Sequence, residues 1–275
     1  MHRPHTFRKL PKKERVRVEK KESFFETDRE GYVINSTSPE KIQDKWKSAL
    51  DDIACWYQEE FGDSLENIYV RGSVAKGEAI EEVSDVDTFA YVNLSSEEID
   101  EKSKDIKEAR TKINEKYLFI EGVEIIIEPI ERSRNKSDIT LLNQSLCIFG
   151  EPINYPHLKP GKDMALHASN IDERIKSINE FVKGVHSDDR IKNKCVWAMK
   201  GLLRSGCEIV MERSGKYTRD LYPCYEVFSE YYPKKEPEMR EVLKLTLNPI
   251  SDKRKIKEKM DTLGSWLQKE AEKYL

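Results

Sequence analysis

With 275 residues, 37% of them hydrophobic and 36% charged, the chain is long enough for one large or two modest domains around a lean core. A net charge of −3 argues against a general nucleic-acid binder. No run approaches the ~20 apolar residues of a membrane span, and the N-terminus carries no apolar signal-type segment, so neither an anchor nor a signal peptide is expected.

Residues 1–21 hold nine Lys or Arg against two Glu. They read as a basic, solvated leader running to about residue 30, the alternative being an arm for nucleic acid or an acidic partner. Gly31 to Ile34 can form a short extended piece. Ser38-Pro39 then looks like a helix start, with Ser38 as cap and Pro39 in the first helical position. Ile42, Trp46, Leu50, Ile53, Tyr57 and Phe61 recur at helical spacing and predict a core-facing helix ending at Gly62.

The stretch from Ile68 to Val92 organises the rest. Ile68 to Val70 reads as a strand, Gly72-Ser73 as a turn into one or two helical turns, and Asp85-Val-Asp87 as the opening of a second strand. Gly72 has no Cβ and lets a ligand approach the backbone. Ser73 stands near a helix N-terminus, where free N–H groups favour an anion. Asp85 and Asp87 are two apart, so on a strand both point to one face. Adjacent carboxylates repel unless a cation sits between them, and hard oxygen ligands suit Mg²⁺. A phosphate cradle beside a metal-binding pair suggests a nucleotide–Mg²⁺ site. It is no P-loop, because no Gly-Lys-Ser/Thr follows at the required spacing.

Gly72-Ser-x-Ala-x-Gly77 followed by Ser84-Asp-x-Asp87 resembles the signature of the polymerase-β-like nucleotidyltransferase superfamily. The wording is most similar to its bacterial branch, which holds the aminoglycoside and minimal nucleotidyltransferases. The resemblance implies that Asp85 and Asp87 hold Mg²⁺, that Gly72 and Ser73 hold phosphates of a nucleoside triphosphate, and that Lys76 assists. It also implies a third carboxylate on a neighbouring strand.

Residues 95–116 predict a charged surface helix, capped at Ser95 to Glu98, with Ile99, Ile106 and Ile113 as a narrow stripe. Val123 to Glu128 predicts the next strand, with Glu124, Ile126 and Glu128 on one face. Glu124 and Glu128 are both candidates for the third carboxylate. At ~3.3 Å per residue they lie roughly 13 Å apart, so one at most reaches the metal. The context Val-Glu124-Ile-Ile-Ile is similar to that of the general base in antibiotic adenylyltransferases, which favours Glu124 as base and metal ligand. A linker-like segment follows Arg132. Phe149-Gly-Glu151 is similar to the close of many nucleotidyltransferase domains, and the Pro-rich stretch Tyr155 to Pro160 marks a boundary.

Beyond it the pattern is helical. Ile171, Ile175, Ile178 and Val182 form one stripe; Val196, Met199, Leu203 and Val210, with Trp197 beside them, form a second. Tyr222, Tyr225, Val227, Phe228 and Tyr231 form a third; Met239, Leu243 and Leu247 a fourth; Ile256, Met260, Leu263 and Leu267 a last. The expected architecture is α/β (α+β): a nucleotidyltransferase mixed β-sheet domain with flanking helices over residues 31–155, then an α-helical bundle over residues 160–275. Such a bundle, in the superfamily, closes a cleft over the acceptor. Lys200 and Arg204, four apart on one helix, and Tyr217, in Tyr-Thr-Arg-Asp220, are the nucleotide-binding candidates there; ordinary solvated basic pairs are the alternative. His157, His167 and His186 show no ligand spacing and read as surface residues. Cys55, Cys147, Cys195, Cys207 and Cys224 are scattered, with no Cys-x-x-Cys, and read as reduced thiols of a cytoplasmic protein.

The reading that follows from the resemblance is transfer of a nucleoside monophosphate, AMP from ATP or its equivalent from another triphosphate, to a hydroxyl. Mg²⁺ assists and pyrophosphate leaves. The acceptor is expected to be a small molecule such as an aminoglycoside. A protein-modifying, antitoxin-like adenylyltransferase and a non-catalytic nucleotide-binding partner protein are the alternatives. The sequence leaves the oligomeric state open, and no membrane or nucleic-acid partner is expected.

Overall fold

A computed structural model describes residues 23–275, so most of the basic leader expected over residues 1–30 lies outside the described residues. The chain divides into two compact units, one spanning Ile34–His157, the other Leu158–Leu275 together with the segment that ends at Val33. That segment is tied into the second unit: Phe25 N donates to Tyr217 O, and Val33 N donates to Leu158 O.

The first unit is built on a four-stranded mixed sheet, β1 (Leu65–Arg71), β2 (Val86–Val92), β3 (Val123–Pro129) and β4 (Ser145–Gly150), in the order β3-β2-β1-β4. β1 is antiparallel to both β2 and β4, whereas β2 and β3 run parallel. A parallel pair requires a crossover. It is supplied by α3 (Ser96–Glu101) and α4 (Ser103–Lys116), with a capping box at Ser95 and Glu98. Side chains alternate across a strand. One sheet face therefore carries Ile68, Val70, Val86, Ala90, Val92, Ile125 and Ile127, buried with Trp46, Leu50, Ile53 and Tyr57 of α1 (Asp44–Phe61) and with Ile113 of α4. The other face carries Tyr69, Phe89, Tyr91 and Ile126 and packs on Leu142 of α5 (Lys136–Leu142). Tyr69 and Phe89 stack there at 5.1 Å between ring centroids.

Two local expectations change. The proline-opened start is only a 3₁₀ turn, Pro39–Lys41, and α1 begins at Asp44. Gln43 does not cap that helix, because its side-chain amide donates to Gly77 O and Ala79 O instead. The linker expected after Arg132 is a 3₁₀ turn, Ile130–Arg134, followed by α5.

The second unit is helical. Its centre is α8 (Asp188–Glu208), whose Cys195, Ala198, Met199, Leu202 and Leu203 are wholly buried. Around it lie α6 (Leu166–Ser169), α7 (Ile171–Phe181), α9 (Met211–Ser214), α10 (Leu221–Tyr231), α11 (Glu236–Leu247) and α12 (Lys253–Lys259), which runs through a π turn into α13 (Ser265–Tyr274). Val196 of the predicted stripe is only half-buried and Trp197 is 39% exposed, because the buried face is centred one residue away, on Cys195 and Ala198. Arg174 and Lys194 both lie over the Trp197 ring, their cationic groups 4.0 and 3.7 Å from its centroid. No helix among the described residues is long and apolar enough to cross a membrane. All five cysteines are free, and Cys195, Cys207 and Cys224 are buried.

Candidate active site

The register of the sheet assembles the site. Arg71, the last residue of β1, pairs with Asp87 on β2, and Asp87 pairs with Glu124 on β3. Paired residues project to one side, so three charged side chains form a row across three strands, on the face that carries Tyr69 and Phe89. Beneath the row Thr88 Oγ1 donates to Glu124 O at 2.9 Å, which braces β2 against β3, and Tyr57 of α1 donates to Ile126 O of β3 at 3.2 Å.

Asp85 lies one residue ahead of β2 and is exposed. Buried Ser84 fixes its approach. Ser84 Oγ accepts from Ile80 N at 2.9 Å, and Ser84 O accepts from Glu121 N at 3.0 Å, while Val86 N donates to Gly122 O at 2.9 Å. Asp85, Asp87 and Glu124 line one cavity of about 290 Å³ with Arg110, Gly122 and Val123.

Gly72 opens the single turn α2 (Gly72–Lys76) with φ of +75°, and a Cβ there would lie 2.9 Å from Asp87 Oδ2. Ser73 O accepts from Glu78 N at 2.8 Å and closes the turn, and Lys76 ends it, half-buried. Gly72, with Ser73 next to it, thus adjoins Asp87, which shares its cavity with Asp85 and Glu124.

The charges of the row are unequal. Arg71 Nη2 donates to Glu124 Oε2 at 2.6 Å and lies 3.9 Å from Asp87 Oδ1. Burial pushes the Asp87 carboxyl up to about 7; Arg71 opposes that rise, and the Asp85 and Glu124 carboxylates add to it. Carboxylate oxygens are the donor set a hard cation takes, and the neighbouring Asp85 and Glu124 carboxylates add negative charge beside Asp87 that a cation would relieve. In kind the residues fit Mg²⁺. Among the described residues, however, no three His, Cys, Asp or Glu converge as a ready ligand cluster. Arg71 is paired with one of the two strand carboxylates and lies near the other.

Glu128 pairs with Tyr91, four residues further along β3 than Glu124, and its Oε2 accepts from Arg132 Nη1 at 2.7 Å. Burial raises its pKa while Arg132 opposes. Arg132 matches its charge as Arg71 matches that of Glu124, but Glu124 also lines the cavity with Asp85 and Asp87.

The remaining candidates belong to the second unit. Lys200 is half-buried on α8. Arg204 is half-buried, its Nε donates to Arg219 O at 3.4 Å, and desolvation with Arg219 nearby lowers its pKa to about 10. Tyr217 is 3% exposed; its ring packs on Phe25 at 5.2 Å, in a small cluster with Val33, Met164 and Met211. Asp220 precedes α10 without capping it, and its Oδ2 accepts from Ser23 N at 3.2 Å. His167 is not a surface residue: Glu208 accepts from its backbone N and pairs with its Nδ1 at 2.9 Å, and burial lowers its pKa.

Sequence reasoning missed Arg71 and Arg110. Arg71 abuts the glycine turn, so its place in the chain was a usable signal; Arg110 lies on a helix remote in sequence and gave none.

Comparison with known proteins accords with this geometry. Residues 55–141 match the family model described as "Nucleotidyltransferase domain", a span that runs from α1 through β3 into α5. Among solved structures, a spectinomycin adenyltransferase from Enterococcus faecialis, determined with ATP and spectinomycin, aligns with a TM-score of 0.50 and 13% identity, over 81% of this chain and 99% of that one. No curated protein matches the chain's sequence.

Proposed function

Because residues 55–141 are a nucleotidyltransferase domain, we propose that this protein is an Mg²⁺-dependent enzyme that moves AMP from ATP to a hydroxyl of a small-molecule acceptor of the aminoglycoside class. The observation that carries the reading is the pairing of Asp87 with Glu124 on adjacent strands, with Asp85 in the same cavity.

In this reading Asp85 and Asp87 hold the cation, with Glu124 within reach as a third donor. Bound there, Mg²⁺ supplies neutralisation of the charge on the phosphates. The Gly72–Ser73 turn holds the outer phosphates, its backbone open because Gly72 has no side chain, and Lys76 adds charge at its end. Glu124 takes the proton of the acceptor hydroxyl. The hydroxyl oxygen bonds to the α-phosphorus, the bond from that phosphorus to the β-bridging oxygen breaks, and pyrophosphate leaves with the electron pair. Positioning and charge do most of this work, as in phosphoryl transfer generally. Support for a small acceptor is the fold likeness to an enzyme solved with ATP and spectinomycin.

The test is pyrophosphate release from ATP with Mg²⁺ over a panel of hydroxyl-bearing aminoglycosides and aminocyclitols, with mass spectrometry of the acceptor. A gain of one nucleoside monophosphate is expected, abolished by EDTA and by Asp85→Asn with Asp87→Asn. Mg²⁺-ATP should also raise the melting temperature of the wild type, because a ligand of the native state stabilises by mass action, and raise that of the double variant much less. Release that proceeds only with a protein acceptor would overturn the small-molecule reading.

A further inference from the structure

We propose that Arg71 is a positioning residue: its guanidinium holds the Glu124 carboxylate in line with Asp87, and must give that carboxylate up when a divalent cation enters the row. This rests on the row being the cation site of the proposed function. Arg71 ends β1 immediately before Gly72, and the register sets it opposite Asp87. Its guanidinium nevertheless reaches past Asp87 to Glu124, at 3.9 and 2.6 Å respectively, with only 19% of the side chain exposed.

Three physical points give the role its content. A guanidinium has five donors and no acceptor, so Arg71 cannot be a metal ligand. It stays charged, so without a cation it offsets repulsion between carboxylates that the strand register forces side by side. With a cation present the sign reverses, because two positive centres then share the same carboxylates. Arg110, the guanidinium that lines the cavity, is engaged otherwise: its Nη2 donates to Ile125 O. Arg71 therefore sets how tightly the bare row takes a cation, and where Glu124 stands when it does.

The decisive readout is Mn²⁺ affinity of the full chain without nucleotide, followed by the electron paramagnetic resonance signal of free Mn²⁺. Arg71→Gln removes the charge but keeps a donor for Glu124. Mn²⁺ should bind this variant about tenfold more tightly or better, each tenfold corresponding to ~1.4 kcal/mol, while its turnover falls. Arg71→Lys should keep near-wild-type Mn²⁺ affinity. A merely structural ion pair predicts Mn²⁺ affinity unchanged or weaker in Arg71→Gln, and that result overturns the proposal, as does absence of Mn²⁺ binding in both proteins. If Arg71→Gln does not fold, a crystal structure of the wild type with Mn²⁺ decides. Arg71 should have left Glu124, and an intact Arg71–Glu124 pair beside bound metal is the contrary result. The two readings fail separately. Tightened Mn²⁺ binding with no nucleotidyl transfer to any acceptor removes the proposed function and keeps the role of Arg71; active wild type with unaltered Mn²⁺ affinity in the variant does the opposite.

Discussion

Asp87 occupies the space that a side chain on Gly72 would need: a Cβ there would lie 2.9 Å from Asp87 Oδ2. Gly72 also has φ of +75°. Two demands, one conformational and one steric, fall on the same residue, and both tie the turn after β1 to the carboxylate on β2. Gly72→Ala should cost on the order of 1–3 kcal/mol from the strained backbone alone, and in addition displace Asp87. Gly31 is the control, since it has φ of +88° but nothing within 4 Å of a built Cβ. Urea unfolding should show a loss for both alanine variants. Mg²⁺-ATP binding should weaken only at Gly72, and equal binding by the two would separate the turn from the metal pair.

The raised Asp87 carboxyl gives a pH dependence whose sign is fixed. Burial is its largest cause and brings the value to about 7. In the unfolded chain an aspartate titrates near 3.9. Between these values the native state holds a proton that the unfolded state has lost, so stability falls as pH rises from about 4 to about 7 and is level above. Asp87→Asn removes that slope. In EDTA, the variant should gain up to a few kcal/mol over wild type at about pH 8 and nothing at about pH 4. Urea unfolding at several pH values checks it; parallel stability curves for the two proteins would contradict the assignment.

How much of this was legible in the sequence depended on whether the signal was local. The stripe of α1 was legible because apolar spacing along a helix is fixed by its period, and Trp46, Leu50, Ile53 and Tyr57 are all buried. The strands holding Asp87 and Glu124 were legible through alternation. Helix α5 was not, because two of its buried residues, Asp138 and Thr140, are polar. They are satisfied by tertiary and backbone partners: Tyr91 donates to Asp138 Oδ1, and Thr140 donates to Lys136 O. Arg71 was missed as well. Its place beside Gly72 was a local signal left unused, while its partner lies 53 positions away and becomes its neighbour through the strand register.

The second unit has its own buried polar anchor. Glu208, 6% exposed at the end of α8, accepts from the backbone N of His167 and of Ala168, both at 2.7 Å, and pairs with the His167 ring. Glu208→Ala would leave two amides and an imidazole without that partner. The expected cost is on the order of 3 kcal/mol, the scale of breaking a buried charged network. Glu208→Gln keeps an acceptor and should cost less. Denaturant unfolding of both variants measures this, and an alanine variant as stable as wild type would mean that water replaces the carboxylate at no loss.

Glu124 and Glu128 share one face of β3, yet their surroundings differ. Glu124 pairs with Asp87 in register and lines the cavity; Glu128 pairs with Tyr91 and is held by Arg132 at 2.7 Å. If Glu124 takes the acceptor's proton, Glu124→Gln should keep the fold, still bind Mg²⁺-ATP and lose most turnover, general-base loss being worth ~10²–10⁴-fold. Glu128→Gln should leave kcat nearly unchanged, and any effect should appear as a raised KM, the signature of lost ground-state binding. Its side chain keeps an oxygen for Arg132, so stability should change little. Steady-state kinetics with the acceptor identified by the antibiotic panel, together with ATP-induced melting shifts, distinguish the two. The reverse pattern, turnover lost at Glu128 and retained at Glu124, would place the chemistry four residues further along β3, beside Tyr91 and Asp138 rather than beside Asp87.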